Sequence, residues 1–274
     1  MGHPHAAHAV NAGIIKGAET IDLREESSHG VLLLHGFGDT PQTLSLFATH
    51  LAKHGFGVYA PLLPGHGRTM AEFTSSRADD WIRAATDALL DMRRRYVTVS
   101  VSGLSMGGAL AVIIAAARTD IASLVLFAPY LGMPRWLRGA ALTFWAWGRM
   151  VGPVKAESPL SIHDPIEREK NLAYGEVTGR TIFELARVVR RAKRALPKVS
   201  APTLIIQSTE DPRVAPAVAK YALRNLGSSE KRILWMTGAG HVITVDYGHE
   251  RLFSEAERWL ESHAGRGATA AQHR

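Results

Sequence analysis

Short apolar runs alternate with segments of helical periodicity along most of this chain. The runs are bounded by Gly, Pro or polar residues and span 31–34, 57–60, 97–101, 124–128, 203–207 and 232–236. Between them, apolar residues recur at i, i+3, i+4 and i+7, which is the spacing of one helix face. Helices that join strands in this way form right-handed crossovers between parallel neighbours. The pattern therefore predicts an α/β fold with a mainly parallel central sheet flanked by helices.

The alternation stops after Pro129 and resumes at Thr203. The interval contains several helical patterns and no clear buried strand, so it predicts a helical insertion that forms a cap or lid. We therefore expect a core at 20–129 and 199–263, a helical cap at 130–198, a flexible N-terminal arm at 1–19 and a disordered tail at 264–274.

The absence of cysteine narrows the chemistry of the chain. With no cysteine among 274 residues, disulfides, iron–sulfur clusters, thiolate zinc sites and a cysteine nucleophile are excluded. The N-terminus lacks the basic patch and apolar run of a secretory signal. The apolar stretch 139–151 is interrupted by Arg149 and is shorter than the roughly 20 residues of a membrane span. We therefore expect a cytoplasmic protein.

The sequence Gly103-Leu104-Ser105-Met106-Gly107 lies between a predicted strand and a predicted helix. A serine at such a sharp turn has strained backbone geometry, and the residues two before and two after it must lack colliding side chains. Gly103 and Gly107 meet that need. The same turn directs the Met106 N–H toward the place where a tetrahedral intermediate would carry negative charge. Ser105 is therefore the predicted nucleophile.

A serine nucleophile needs a histidine base that is oriented by a carboxylate. Among 13 histidines, His241 is favoured because it follows the predicted strand 232–236 in a loop of small residues. The acid is expected in the loop after the preceding strand, where Glu210 and Asp211 stand. Both can serve, and Asp211 is favoured.

Five motifs carry a resemblance to a known family. They are HGFGDTP, PLLPGHG, GLSMGG, STEDPRV and GHVITVD. Together with the order Ser105, Asp211, His241, they resemble the α/β-hydrolase fold over 31–263. More narrowly, they resemble the bacterial carboxylesterase and monoacylglycerol lipase group.

The resemblance also implies roles for one loop and for the insertion. The Phe37 N–H, in the loop after the first core strand, would be the second oxyanion donor beside the Met106 N–H. The insertion would cap the site and supply an acyl pocket. The candidate pocket residues are Trp136, Phe144, Trp145 and Trp147. The alternative is that these side chains pack the cap against the core.

Other histidines have simpler interpretations. His35 and His66 lie in Gly- and Pro-rich loops and are interpreted as residues that order those loops. His50 and His54 have the i, i+4 spacing of metal ligands, but no neighbouring glutamate completes an H-E-x-x-H motif. A solvated helix face is therefore favoured there, and neither a metal nor a cofactor is expected.

These residues together predict a serine carboxylic-ester hydrolase that acts on short- to medium-chain acyl esters or monoacylglycerols through an acyl-enzyme. A thioesterase, a carbon–carbon bond hydrolase or a perhydrolase would use the same triad, because the pocket sets the substrate. A catalytically silent module that binds a lipid or a protein partner is an alternative of a different class. The expected partner is a small-molecule acyl ester, and the sequence leaves chain length and oligomeric state open.

The net charge of +7 is concentrated in one segment. From Arg180 to Lys198, seven basic residues stand against Glu184 alone. The arginines at helical spacing are Arg187, Arg190, Arg191 and Arg194. A basic amphipathic helix at 180–198 suits a solvated face or weak association with an anionic lipid surface. Nothing beside it indicates a nucleic-acid module, so no nucleic-acid partner is expected.

Overall fold

The computed structural model describes residues 10–11, 13–24, 26–147, 151–156 and 158–265. Its strands are β1 (Val10–Asn11), β2 (Ile14–Ile15), β3 (Ile21–Leu23), β4 (His29–Leu34), β5 (Gly57–Ala60), β6 (Thr98–Leu104), β7 (Leu124–Phe127), β8 (Val154–Lys155), β9 (Glu176–Val177), β10 (Thr203–Ser208) and β11 (Lys231–Met236). Its α-helices are α1 (Ser45–Lys53), α2 (Met70–Ser75), α3 (Ala78–Arg95), α4 (Met106–Ala116), α5 (Arg135–Trp147), α6 (Pro165–Lys170), α7 (Gly179–Ala195), α8 (Pro216–Asn225) and α9 (His249–His263).

The centre of the molecule is a seven-stranded sheet in the order β11–β10–β7–β6–β4–β5–β3. Neighbouring strands pair in parallel except β3, which runs antiparallel to β5 at the edge. All six predicted strands lie in this sheet, so the predicted α/β fold with a mainly parallel sheet is confirmed. The sequence analysis missed β3, because three residues at a sheet edge give too short a pattern to recognise.

The sheet is buried on both faces. On β4, Leu32 and Leu34 join an apolar cluster that includes α3 and α4, whereas Val31 and Leu33 pack with α1 and α9. Alternate strand residues point to opposite faces, so a strand covered by helices on both sides is apolar throughout. This explains why the sequence shows continuous apolar runs.

Helix α2 lies in a region where the sequence analysis predicts no element. Thr69 caps it, since the Thr69 hydroxyl oxygen accepts the Glu72 N–H at 3.3 Å. The Glu72 carboxylate in turn accepts the Thr69 N–H at 3.1 Å. This capping box, T-x-x-E, is the sequence signal that could have located the helix.

The segment between β7 and β10 contains α5, α6, α7 and the antiparallel pair of β8 and β9. Helix α7 buries Leu185, Val188 and Ala192 in the same apolar cluster as α3 and α4. It therefore belongs to a helix layer on the sheet, which differs from the predicted cap at 130–198. We propose that the cap ends before α7, because lifting this helix would expose its apolar face.

Part of the predicted N-terminal arm is attached to the core. The Ile15 N–H bonds to the Gly67 carbonyl oxygen at 2.8 Å, and Ala18 is fully buried. Residues 13–19 are therefore not the free arm that was predicted. Most of the predicted arm and of the predicted tail lies outside the described residues. Within the described part of the chain, no helix is both long and apolar enough to cross a membrane.

Candidate active site

Ser105 lies at the turn between β6 and α4 with φ 53° and ψ −114°. A positive φ at a residue with a side chain costs roughly 1–3 kcal/mol, so the surroundings must hold it. The Ser105 N–H bonds to the Phe127 carbonyl oxygen at 2.9 Å, and the Ser105 carbonyl oxygen accepts the Tyr130 N–H at 3.0 Å. These bonds fix the serine at the carboxyl end of the sheet.

The glycines on either side of Ser105 are required by close backbone contacts. A Cβ on Gly107 would lie 1.9 Å from the Leu34 carbonyl oxygen of β4. A Cβ on Gly103 would lie 2.3 Å from the Gly107 carbonyl group. Neither contact can be relieved without moving a strand or the helix, so the structure supplies the steric reason for the G-x-S-x-G spacing.

Ser105, His241 and Asp211 form a hydrogen-bonded chain. His241 Nε2 lies 2.8 Å from Ser105 Oγ, and His241 Nδ1 lies 2.8 Å from Asp211 Oδ2. The three residues follow β6, β11 and β10, and each is less than a tenth exposed. An imidazole that donates from Nδ1 to a carboxylate presents Nε2 as the acceptor for a serine hydroxyl. The arrangement can therefore remove the Ser105 proton.

Of the two carboxylates that the sequence leaves open, Asp211 is the one that contacts His241. Asp211 Oδ1 accepts the N–H groups of Arg213 and Val214 at 2.7 and 2.9 Å, and Oδ2 also accepts from Gln207 Nε2 at 2.9 Å. Burial opposes ionisation, but the hydrogen bond to His241 and those backbone donors outweigh it and lower the pKa of Asp211. Asp211 is therefore ionised beside the imidazole.

Two other carboxylates hold the loop that carries His241. Glu210 Oε1 accepts the Gly238 N–H at 2.7 Å. Asp246 is fully buried and accepts four backbone N–H groups at 2.7 to 2.9 Å, those of His163, Asp164, Gly240 and Tyr247. Because two of these donors belong to the insertion, Asp246 ties the insertion to the loop of His241.

Ser161 makes a second link between the insertion and this loop. Its carbonyl oxygen accepts the His241 N–H at 2.8 Å and the Val242 N–H at 2.9 Å. Its hydroxyl oxygen accepts from Arg213 Nε at 3.0 Å. Sequence reasoning missed both Ser161 and Asp246, and the only signal was the motif GHVITVD, which ends at Asp246.

The loop after β4, which carries the predicted donor Phe37, lies beside Ser105. A Cβ on Gly36 would lie 3.6 Å from Ser105 Cβ. The Phe37 ring packs on Phe73 and Trp81, with centroids 5.1 and 6.0 Å away, and so anchors the loop. The other predicted donor, the Met106 N–H, is at the start of α4, where helix N–H groups have no acceptor within the helix.

His35 and His66 are buried in the loops beneath the site. His35 Nδ1 donates to the Gly36 carbonyl oxygen at 2.9 Å, and its Nε2 accepts the Leu63 N–H at 3.0 Å. Burial, aided by the neighbouring His66, holds the pKa of His35 well below its usual range, and burial lowers the pKa of His66 to about 4. Both rings are therefore neutral at pH 7, in agreement with a role in ordering the loops.

Asp39 is a buried carboxylate in the same loop as Phe37. Its Oδ2 accepts the Thr43 hydroxyl at 2.7 Å and its Oδ1 accepts the Thr40 N–H at 2.8 Å. Burial raises the pKa of Asp39 to about 6, although these hydrogen bonds and the nearby His241 act against that shift. The sequence analysis does not single out this residue.

The aromatic residues predicted to line an acyl pocket lie on α5. Trp136 is 74% exposed, so it does not pack the insertion against the core. The Phe144 ring lies 5.6 Å from the Phe183 ring of α7. The side chains of Trp145 and Trp147 are outside the described part of the chain, and the acyl pocket stays a prediction.

Residues 25–247 match the profile of a hydrolase family described as serine aminopeptidase, S33. The chain belongs to this S33 hydrolase family. A similar protein is the thermostable monoacylglycerol lipase of Bacillus sp. (strain H-257), which is 30% identical over 92% of this chain and 98% of its own length. Human monoglyceride lipase is 26% identical over 88% of this chain and 85% of its own length.

Solved structures with the same fold include lipolytic enzymes. One, described for the metagenome-derived lipolytic enzymes LipS and LipT, aligns with a TM-score of 0.84 at 31% identity and covers 91% of this chain and 100% of that one. The monoacylglycerol lipase of Paleococcus ferrophilus aligns with a TM-score of 0.76 at 22% identity over 89% of this chain and 98% of that one. The predicted α/β-hydrolase fold and the resemblance to the carboxylesterase and monoacylglycerol lipase group are confirmed.

Proposed function

We propose that the protein is a serine carboxylic-ester hydrolase in which Ser105 is the nucleophile, His241 the base and Asp211 the residue that orients it. The observation that carries the proposal is the hydrogen-bonded chain from Ser105 Oγ through His241 to Asp211 Oδ2, with 2.8 Å at each contact. Membership in the S33 hydrolase family supports it, as does similarity to enzymes named monoacylglycerol lipase and carboxylesterase.

In the first half of the reaction, His241 Nε2 takes the Ser105 proton as Ser105 Oγ bonds to the ester carbonyl carbon. The carbonyl oxygen becomes negative and accepts hydrogen bonds from the Phe37 and Met106 N–H groups. The ionised Asp211 stabilises the imidazolium that forms. The bond to the alcohol then breaks, and His241 gives its proton to the leaving oxygen.

In the second half, water replaces the alcohol at the acyl-enzyme. His241 takes a proton from the water, whose oxygen bonds to the acyl carbon. The tetrahedral intermediate expels Ser105 Oγ, which regains its proton from His241. The products are a carboxylic acid and an alcohol, and Ser105 returns to its starting state.

The proposed substrates are short- to medium-chain acyl esters and monoacylglycerols. The names of the relatives support this class. The pocket that would bury the acyl chain is proposed to include the apolar side chains of Trp136 and Phe144 on α5. A substrate series from acetate to long-chain p-nitrophenyl esters, with monoacylglycerols alongside, is expected to peak at a short or medium chain. A peak only at long chains would contradict the proposed class.

Replacing Ser105 by Ala is expected to lower ester turnover by at least roughly 10⁴-fold, because no other hydroxyl bonds to His241 Nε2 in the described residues. Ser102→Ala is the matched control. Ser102 is buried three residues earlier in β6, and its hydroxyl has no hydrogen-bond partner in the described structure. We expect that variant to keep wild-type turnover, and a Ser105→Ala protein that does the same would overturn the assignment.

A catalytically silent binding module is the alternative of a different class. A fluorophosphonate probe separates the two, because it reacts only with a serine that a neighbouring base activates. We expect the wild type and Ser102→Ala to be labelled and Ser105→Ala not to be labelled. A folded wild-type protein that stays unlabelled would favour the silent module.

A further inference from the structure

We propose that His50, His54 and Glu257 form a binding site for a divalent transition-metal ion, with Zn²⁺ as the best match. His50 and His54 lie one turn apart on α1 and its C-terminal cap, and Glu257 lies on α9. The sequence analysis set the two histidines aside because no neighbouring glutamate accompanies them. The fold supplies that carboxylate from a position 207 residues after His50.

The three side chains already converge. His50 Nε2 lies 2.7 Å from Glu257 Oε2, and His54 Nε2 lies 3.7 Å from Glu257 Oε1. One nitrogen from each ring and one carboxylate oxygen all lie within 4.8 Å of one another. Donors bound to one zinc ion are roughly 3.3 Å apart when each lies about 2.0–2.1 Å from the metal. Small side-chain rotations therefore suffice to bring the three donors around an ion.

A hydrogen bond to the backbone orients the His54 ring for metal binding. Its Nδ1 donates to the His50 carbonyl oxygen at 2.7 Å, which leaves Nε2 free to act as a ligand on the side of Glu257. Such a hydrogen bond from the second ring nitrogen is the usual support of a metal-binding histidine. The surroundings fit a partly open site, since the side chain of His54 is 46% exposed and that of Glu257 is 14% exposed. Solvent can therefore supply a fourth ligand.

The chemistry of the donors selects the class of metal. Two imidazoles and one carboxylate match Zn²⁺ and its transition-metal neighbours, whereas Mg²⁺ and Ca²⁺ prefer oxygen ligands throughout. On binding, His50 Nε2 and Glu257 Oε2 exchange their mutual hydrogen bond for bonds to the ion, and any proton on His50 Nε2 leaves to solvent or moves to Nδ1. The ion would join α1 to α9 and stabilise the folded chain.

The test is a Zn²⁺ titration by calorimetry, with Co²⁺ absorption as a second probe. Because His3, His5 and His8 could also bind metal, the full-length chain is compared with and without their replacement by Gln. In the replaced background we expect one equivalent of Zn²⁺ to bind. Saturation should raise the melting temperature by roughly 5 °C, and EDTA should reverse the rise.

Two variants at the site and one matched control complete the experiment. His54→Gln and Glu257→Gln should each weaken Zn²⁺ binding at least tenfold and abolish the melting shift. His249→Gln, on the same helix as Glu257 but outside the cluster, should bind Zn²⁺ as the parent does. His54 is half-exposed, so its replacement should leave the metal-free protein folded and its ester turnover unchanged. Unaltered Zn²⁺ binding in both site variants, or binding that is lost once the arm histidines are replaced, would overturn the proposal.

Discussion

Neighbouring carboxylates at Glu210 and Asp211 have separate partners. Asp211 contacts His241, whereas Glu210 accepts the Gly238 N–H. Their sequence positions place both in the loop after β10, where neighbouring side chains reach different partners. The sequence therefore restricts the acid to two residues, and only the three-dimensional path of the loop distinguishes them.

Asp211→Asn is expected to lower kcat for a short p-nitrophenyl ester by about 10⁴-fold, since an amide no longer enforces the tautomer that presents Nε2 to Ser105. Glu210→Gln should lower kcat less than about tenfold, because its amide oxygen can still accept the Gly238 N–H. Steady-state kinetics of the two variants measure the loss of kcat in each. A larger loss in Glu210→Gln would show that the acid is misassigned.

Asp39 predicts a pH dependence of stability. Its pKa rises from 3.8 to about 6 on folding, so the folded chain holds this proton more tightly than the unfolded chain does. Below about pH 4, this tighter proton binding adds about 3 kcal/mol to the free energy of unfolding. That contribution is lost as the pH rises through about 6. Asp39→Asn does not titrate and should escape this loss.

The measurement is the free energy of unfolding of the wild type and of Asp39→Asn between about pH 4 and pH 7.5. The free energy of unfolding of Asp39→Asn minus that of the wild type should increase by roughly 3 kcal/mol as the pH rises. Titration of other groups cancels in this comparison. If the two free energies of unfolding change with pH in parallel, folding does not raise the pKa of Asp39.

Among the elements, the insertion and the loop of His241 are joined by backbone hydrogen bonds. Asp246 collects N–H groups from both, and the Ser161 carbonyl oxygen accepts the N–H groups of His241 and Val242. The insertion therefore helps to position the loop that carries His241, the proposed base.

Asp246→Asn should lower the free energy of unfolding by about 3 kcal/mol, because an amide nitrogen would face buried N–H donors. We expect kcat to fall while KM changes little, since Asp246 acts through the position of His241. Asp164→Asn is the matched control, as its side chain only caps α6 at the surface and Asn caps equally well. Chemical unfolding and ester kinetics on both variants provide the comparison. If kcat is unchanged in Asp246→Asn, the contacts of Asp246 with the insertion do not contribute to catalysis.

Local patterns predicted the elements that the core contains, but not how all of them are packed. The strands follow from apolar runs such as 31–34, and the sharp turn at Ser105 follows from Gly103 and Gly107, because these signals lie within a few residues. The amphipathic pattern of α7 predicts that one face is buried, yet it cannot say whether a cap or the sheet layer buries it. The contacts of Asp246 and Glu257 join distant segments, so no local pattern contains them.

Over the whole molecule, the excess positive charge is partly compensated by the fold. On α7, Arg187 and Arg191 both pair with Asp79 of α3, while Arg190 and Arg194 are exposed. Arg187 also pairs with the buried Glu184, whose carboxylate accepts the Ala78 N–H at the start of α3. The basic segment therefore has a structural role at the contact of two helices, and the exposed Arg190 and Arg194 are available to a partner.

We propose that these two arginines give the chain a weak affinity for anionic lipid. Arg190→Gln with Arg194→Gln should reduce binding to phosphatidylglycerol-rich vesicles at least tenfold, since each basic residue near such a surface contributes about 1 kcal/mol. Lys53→Gln with Arg251→Gln removes the same charge from α1 and α9 and should have a smaller effect. Vesicle co-sedimentation at low and high salt measures both. Equal losses in the two double variants would indicate a response to net charge alone.

The position of the insertion has a consequence for how the chain reaches its active state. β7 ends at Phe127, and its parallel partner β10 begins only at Thr203. Ser105 precedes this gap, whereas Asp211 and His241 follow it. Pairing across a long intervening segment carries a loop-closure entropy and is favoured late in folding. Ester hydrolysis should therefore return only when the two halves of the sheet have joined, so recovered activity would report that step of refolding.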